Sequence, residues 1–141
     1  MKKGVLFLLI LWQFPQTLCA WVYLLYLKIA GIECTMLDDT VRVVAKMPKG
    51  AGGVSFGEYI FVKKSCYSQN TIKHEKGHSK QSRMLGWLYL LIVALPSMIL
   101  NRMSARDPEF AKNYFNRFPE NWADRLGGVV RESEEDKKVC M

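Results

Sequence analysis

The sequence predicts an α+β fold: a small antiparallel sheet with helices, an N-terminal transmembrane segment and a second apolar helix or hairpin. Three observations predict it. Residues 4–27 carry no charge, residues 41–62 are rich in β-branched and aromatic side chains, and residues 68–83 and 118–128 read as polar helices. Half of the 141 residues are apolar while 23% are charged, so the apolar residues are gathered into segments set apart from a polar body. The length suits one domain. The organisation read from composition is a membrane segment over residues 1–30, a folded domain over 31–131 and a charged tail over 132–141.

Each element has its reason. Residues 4–27 follow a lysine pair and end at Lys28. Twenty-four uncharged residues exceed the roughly 20 that a helix needs to cross a bilayer core. Gln13, Pro15 and Gln16 interrupt the run. A cleaved signal peptide competes, with Leu18-Cys19-Ala20 as its cleavage region, but the apolar run resumes at Trp21, which favours a retained anchor. Val41, Val43 and Val44 mark a short strand, Asp38-Asp39 a turn, and Pro48-Lys49-Gly50-Ala51-Gly52-Gly53 a loop. Residues 54–62 (VSFGEYIFV) read as one strand.

Residues 68–83 read as a helix capped by Ser68 or Asn70. Gly77 inside it costs about 1 kcal/mol against alanine, a sign that something packs close to its backbone. Residues 84–100 form a second uncharged run, interrupted by Pro96: a core helix, a re-entrant hairpin or a short span. Phe118-Pro119-Glu120 starts a last helix and Gly127-Gly128 ends it. The cysteines, at positions 19, 34, 66 and 140, form no C-x-x-C pair and are expected to be free or buried thiols.

The chemistry lies in His74-Glu75-Lys76-Gly77-His78, an H-E-x-x-H pentapeptide that uses the only two histidines in the chain. Positions i and i+4 share a helix face, so both imidazoles can reach one zinc ion, and the intervening glutamate stands beside it as a proton acceptor. With no histidine left, the third ligand is a carboxylate, a thiolate or nothing. Glu120-Asn121-Trp122-Ala123-Asp124 offers two carboxylates one helical turn apart. Glu120 can complete the metal shell, and Asp124 can accept the outer N–H of a ligating histidine.

H-E-x-x-H followed by E-x-x-x-D resembles the signature of the gluzincin metallopeptidases, the thermolysin-like group. The resemblance implies a minimal zincin-like domain with Zn2+ held by His74, His78 and Glu120. It also implies Glu75 as the catalytic base and Asp124 as the support of a histidine. TIKHEKGHSKQSRMLG and FPENWADRLGGV are also similar to a family of small bacterial membrane proteins of unassigned function, over residues 50–130. The chain departs from gluzincins in lacking a second domain to shape a cleft. Tyr114 is a candidate oxyanion stabiliser, although an ordinary packed tyrosine is the simpler reading, and Trp122, Lys76 and Lys80 read as packing or solvated residues.

A single crossing by residues 84–100 would put the histidines and Glu120 on opposite membrane faces, so the metal site predicts that this run does not cross alone. Ten Lys or Arg residues lie from Lys28 to Arg83 and eight follow the second run, so both flanks look cytoplasmic. The net charge of +7 comes with no nucleic-acid module. The resemblances imply a peptide or protein substrate and a bacterial inner or plasma membrane, and the apolar segments imply membrane lipid as a partner. Two other readings stand beside the peptidase: a catalytically inactive zinc-binding protein acting through a partner, and a membrane protein whose motif residues meet by coincidence.

Overall fold

In chain order, two helices lead into four strands, and four further helices follow; the computed structural model describes residues 3–48, 50–133 and 136–140. Met1 and Lys2 of the basic flank, Lys49 of the predicted loop, and Glu134, Glu135 and Met141 of the predicted tail lie outside the described residues. The helices are α1 (Lys3–Trp12), α2 (Phe14–Ile29), α3 (Gln69–Leu85), α4 (Leu95–Arg106), α5 (Pro108–Ala111) and α6 (Glu120–Gly127). The strands are β1 (Cys34–Met36), β2 (Val41–Val44), β3 (Gly53–Phe56) and β4 (Tyr59–Lys63). The fold is α+β, as the composition predicts.

The sheet is mixed rather than antiparallel. Its order is β1-β2-β4-β3, with β2 and β4 parallel and the outer pairs antiparallel. The predicted single strand over 54–62 is a hairpin. Gly57 turns it with a φ of +64°, which glycine adopts without steric cost, and Glu58 beside it is buried. The alternation along β4 explains its central place. Phe61 faces a cluster with Ala20, Leu27 and Val44, while Ile60 and Val62 pack with Val41 and Ile72 on the opposite face. Fully burying such a side chain stabilises the fold by roughly 1.5–3 kcal/mol. β3, carrying glycine and serine where β4 carries isoleucine and valine, lies at the sheet edge.

The N-terminal run is not one straight helix. α1 and α2 meet at a 98° bend, and no single described helix is long and apolar enough to cross a membrane. The polar residues that interrupt the run cause the bend. Gln13 donates to Glu58 (2.9 Å), and Gln16 donates to Ser82 (3.2 Å) and to the Gly86 carbonyl. Pro15 sits in the first turn of α2, where its missing N–H does no harm.

The second apolar run is irregular: a 3-10 turn at Gly86–Leu88, a π-helical turn at Leu90–Ala94, then α4. Pro96 falls in the first turn of α4, and the distortion precedes it, because the proline ring cannot accept a regular helical carbonyl four residues back. The Asp38 carboxylate accepts from Thr40 and Val41 N–H groups and forms the predicted turn.

Two of the cysteines are joined. Cys66 and Cys140 form a disulfide with a Cα–Cα distance of 5.7 Å, while Cys19 and Cys34 are free, which corrects the expectation of four thiols. The pair lies 74 residues apart and carries no local spacing signature. The bridge fastens the described end of the tail to the turn before α3, and the Asn70 side chain donates to Asp136 (3.1 Å) along the way.

Candidate metal site

The site forms where α3 crosses α6. Ser68 caps α3, its hydroxyl accepting from the Thr71 N–H at 3.0 Å. The buried face of α3 presents His74, Glu75, Gly77 and His78. Gly77 is what lets α6 approach: a Cβ there would stand 1.9 Å from the Ala123 carbonyl oxygen. Gly127 does the same from the other side, since a Cβ on it would stand 2.0 Å from the Lys73 carbonyl oxygen. Backbone therefore lies against backbone, and the close neighbour inferred from Gly77 is α6.

That contact brings Glu120 between the two histidines. Its Oε2 lies 3.0 Å from His74 Nε2 and 3.3 Å from His78 Nε2. The three candidate ligand atoms fall within 4.8 Å of one another, and all three residues are buried. In a tetrahedral shell with bonds of about 2.0–2.2 Å, neighbouring ligand atoms stand roughly 3.3–3.6 Å apart, so the observed separations are close to those of a loaded site. Two imidazoles and a carboxylate are also a zinc-type donor set. Two buried carboxylate oxygens find no protein partner here: Glu120 Oε1 and Glu75 Oε2. A cation held by His74, His78 and Glu120 would match the buried charge of the Glu120 carboxylate, so the trio fits a metal ion.

The outer nitrogens fix the orientation of both rings. His74 Nδ1 meets Asp124 Oδ1 at 2.6 Å, and His78 Nδ1 meets Gln81 Oε1 at 2.7 Å. With each Nδ1 held outward, each Nε2 faces Glu120, the position from which it could bind a metal ion once any proton it carries is displaced. Gln81 in turn donates to the Pro119 carbonyl (3.0 Å). Arg131 donates twice to Asp124 (2.6 and 2.8 Å) and lies over the Phe115 ring, which packs against His74.

Charge and burial oppose each other throughout. Burial works to lower the pKa of His74, but hydrogen bonds to Asp124 and Glu120 outweigh it and push the value up to about 10 in the metal-free chain. Burial also disfavours the charge on Glu120, yet the adjacent His78 and His74 hold its carboxyl far below the usual carboxylate range. Asp124 is held low against its own burial by His74 and Arg131. Glu75 goes the other way: burial raises its pKa, and the two histidines do not reverse that.

Glu75 also touches the sheet. A Cβ on Gly53 would come within 2.5 Å of Glu75 Oε1, so a larger residue there would push this carboxyl away from edge strand β3. Tyr114 is buried and lines a cavity together with Glu75; burial raises its phenol pKa, and the nearby Glu120 adds to the rise. Trp122 stacks on Phe118 as a half-buried packing residue. Lys80 donates to the Leu126 carbonyl (2.7 Å), and Lys76 is exposed.

Thus the structure brings His74, Glu75, His78, Glu120 and Asp124 together. Gln81, Arg131 and Gly53 were not singled out in the sequence. Gln81 lies three residues after His78 on the same helix face, a signal that was available; Arg131 and Gly53 meet the site only through tertiary contacts.

No protein family, characterised protein or solved structure matches the chain. The gluzincin resemblance therefore rests on the motif residues and their geometry.

Proposed function

We propose that this protein is a membrane-associated zinc hydrolase that cleaves peptide bonds, with zinc held by His74, His78 and Glu120. One observation carries the reading. A second buried glutamate, Glu75, stands beside the converging trio with one oxygen lacking any partner. A purely structural metal site has no use for such a group, whereas hydrolysis needs a base there. When bound, zinc lowers the pKa of water to about 7 and polarises a carbonyl as a Lewis acid. Glu75, whose pKa burial raises, accepts the proton of the attacking water and returns it to the leaving amine. Asp124 and Gln81 keep both imidazoles turned toward the ion. The free edge of β3, which Gly53 brings against Glu75, is suited to pairing with an extended peptide.

Association with a membrane is supported by the exposed apolar residues of α1, α2 and residues 86–99. The lysine and arginine count favours the cytoplasmic side, whereas the Cys66–Cys140 disulfide favours an oxidising compartment. The disulfide weighs more, because a bond has formed while charge counts only bias insertion; thiol labelling in intact cells separates the two.

The test is hydrolysis of a broad peptide library by zinc-loaded protein, with zinc content measured alongside. Glu75→Gln is expected to keep the metal and lose about 10²–10⁴-fold in rate. Equal rates in both proteins would overturn the assignment.

A further inference from the structure

The cavity over the metal site has two unlike halves. Gly53, His74, Glu75, Asn101 and Tyr114 line both. One half, about 380 Å³, is the more polar, with Asn70, Thr71, Asp136, Arg131 and Lys138 in its lining beside apolar groups such as Phe115. The other, about 540 Å³, is walled largely by Val54, Phe56, Leu90, Ala94, Leu95 and Met98. β3 runs beside both: Gly53 borders each half, and Val54 to Phe56 border the apolar one. The candidate base Glu75 sits where the halves join.

The apolar half opens beside Arg102 and Ser97, between apolar side chains that also face outward. Leu95 and Met98 line it and are themselves 45% and 48% exposed. The apolar surface continues beyond them over Leu91, Ile92 and Ile99. Trp87 and Leu88 extend it toward α1, whose Trp12 donates to the Arg83 carbonyl at 2.9 Å and whose Leu8 and Leu11 are exposed. An apolar stretch lying in lipid can therefore enter the apolar half along Leu95 and Met98, with Arg102 beside them. The opposite half offers hydrogen-bonding groups and side chains of both charges, Asp136 and Lys138, to a chain that has left the lipid.

We infer that the substrate is a polypeptide with a lipid-inserted apolar stretch, bound so that the bond at its apolar–polar boundary lies at Glu75. This inference rests on the peptidase reading above. It names the class by chemistry: an apolar segment joined to a polar flank, presented at a membrane surface. Met98 and Leu95 determine specificity by contacting the apolar stretch, and they take no part in the chemical step.

The experiment uses the full chain, zinc-loaded, in lipid nanodiscs. Two peptides of identical composition are compared: a block peptide, one half apolar and the other polar, and a version with the same residues evenly mixed. Binding is read first, with Glu75→Gln and a photo-crosslinker in the apolar half. The block peptide is expected to bind about tenfold more tightly and to crosslink to residues 89–102. Met98→Asp, or Leu95→Asn should the former not fold, is expected to remove that preference. Hydrolysis by the unsubstituted chain is read second, with the cut mapped to the boundary. Equal affinity for the two peptides, crosslinks elsewhere in the chain, or crosslinks joining two copies through this surface would overturn the inference. Preferred binding without cleavage would uphold the substrate class and overturn hydrolysis instead, so the two failures are distinct.

Discussion

The crossing of α3 and α6 and the apolar helices around it are held by opposite means. At the crossing, two glycines let backbone meet backbone, and buried charges are matched by named partners. Along α1, α2 and residues 86–99, large apolar side chains such as Phe7, Leu8, Trp87 and Leu91 are more than half exposed. The first region tolerates almost no added atom. The second tolerates more at those exposed positions, because those side chains touch little of the protein, while Ala20, Leu27 and Val93 in the same segments are buried. The difference shows where this fold spends its specificity: on bringing five polar side chains to one point, with the apolar segments left for a surrounding that suits them.

The strongest way to break that contrast is Gly77→Ala. The added methyl would collide with the Ala123 carbonyl, which is backbone and cannot swing aside. We expect a loss of about 3 kcal/mol, the upper end for overpacking, despite a better helix propensity. Thermal unfolding should show a fall in Tm of roughly 10 °C, with zinc binding weakened in the same variant. An unchanged Tm would mean that the helices are not in backbone contact.

Opening the Cys66–Cys140 bridge with Cys140→Ser should cost about 2–4 kcal/mol in denaturant unfolding, since it closes a long loop. Zinc affinity should change little, because neither cysteine touches the metal ligands. A smaller step is Asp124→Asn. The amide keeps the shape and loses the charge that orients His74, so zinc affinity should fall about 10–100-fold with the fold intact.

The smallest effect is expected in the other region. Leu91→Ser or Leu8→Ser should change stability by no more than about 0.5 kcal/mol in detergent, while binding to lipid vesicles weakens. A large stability loss there would show that these side chains are packed after all, and the contrast between the regions would vanish.

pH sharpens the comparison further, because the titrating groups gather at the crossing. In the metal-free chain the His74 pKa is raised from 6.5 to about 10. Its stabilisation is thus complete below about pH 6.5 and lost as pH rises toward 10. Glu120 and Asp124 are lowered, so their contribution is present above their ordinary carboxylate values and lost as pH falls below them. Metal-free protein should therefore be most stable between about pH 5 and 6.5. Zinc affinity should rise across the alkaline limb as the proton on His74 stops competing. Unfolding titrations with and without chelator check both limbs.

Much of the site was legible because its signals are local. The two histidines one turn apart, Glu75 between them, and the Glu120/Asp124 pair each lie within a single helix. Gly77 announced a close neighbour by being costly where it stands. The parts that were not legible depend on which distant segments meet. The exchange of β3 and β4, the Gly57 hairpin inside an apparently continuous strand, and the Cys66–Cys140 pairing all arise from tertiary placement. Gln13 and Gln16 were visible as flaws in an apolar run, but their partners, Glu58 and Ser82, lie 45 and 66 residues away. Only those partners show that the flaw is a bend.

The most direct test of the central claim is the zinc content of the purified chain, measured beside Glu120→Ala and His78→Ala after each has been shown to fold. We predict about one zinc per chain in the unsubstituted protein and a sharp loss in both variants. No zinc after reconstitution, or zinc that is indifferent to Glu120, would contradict the account.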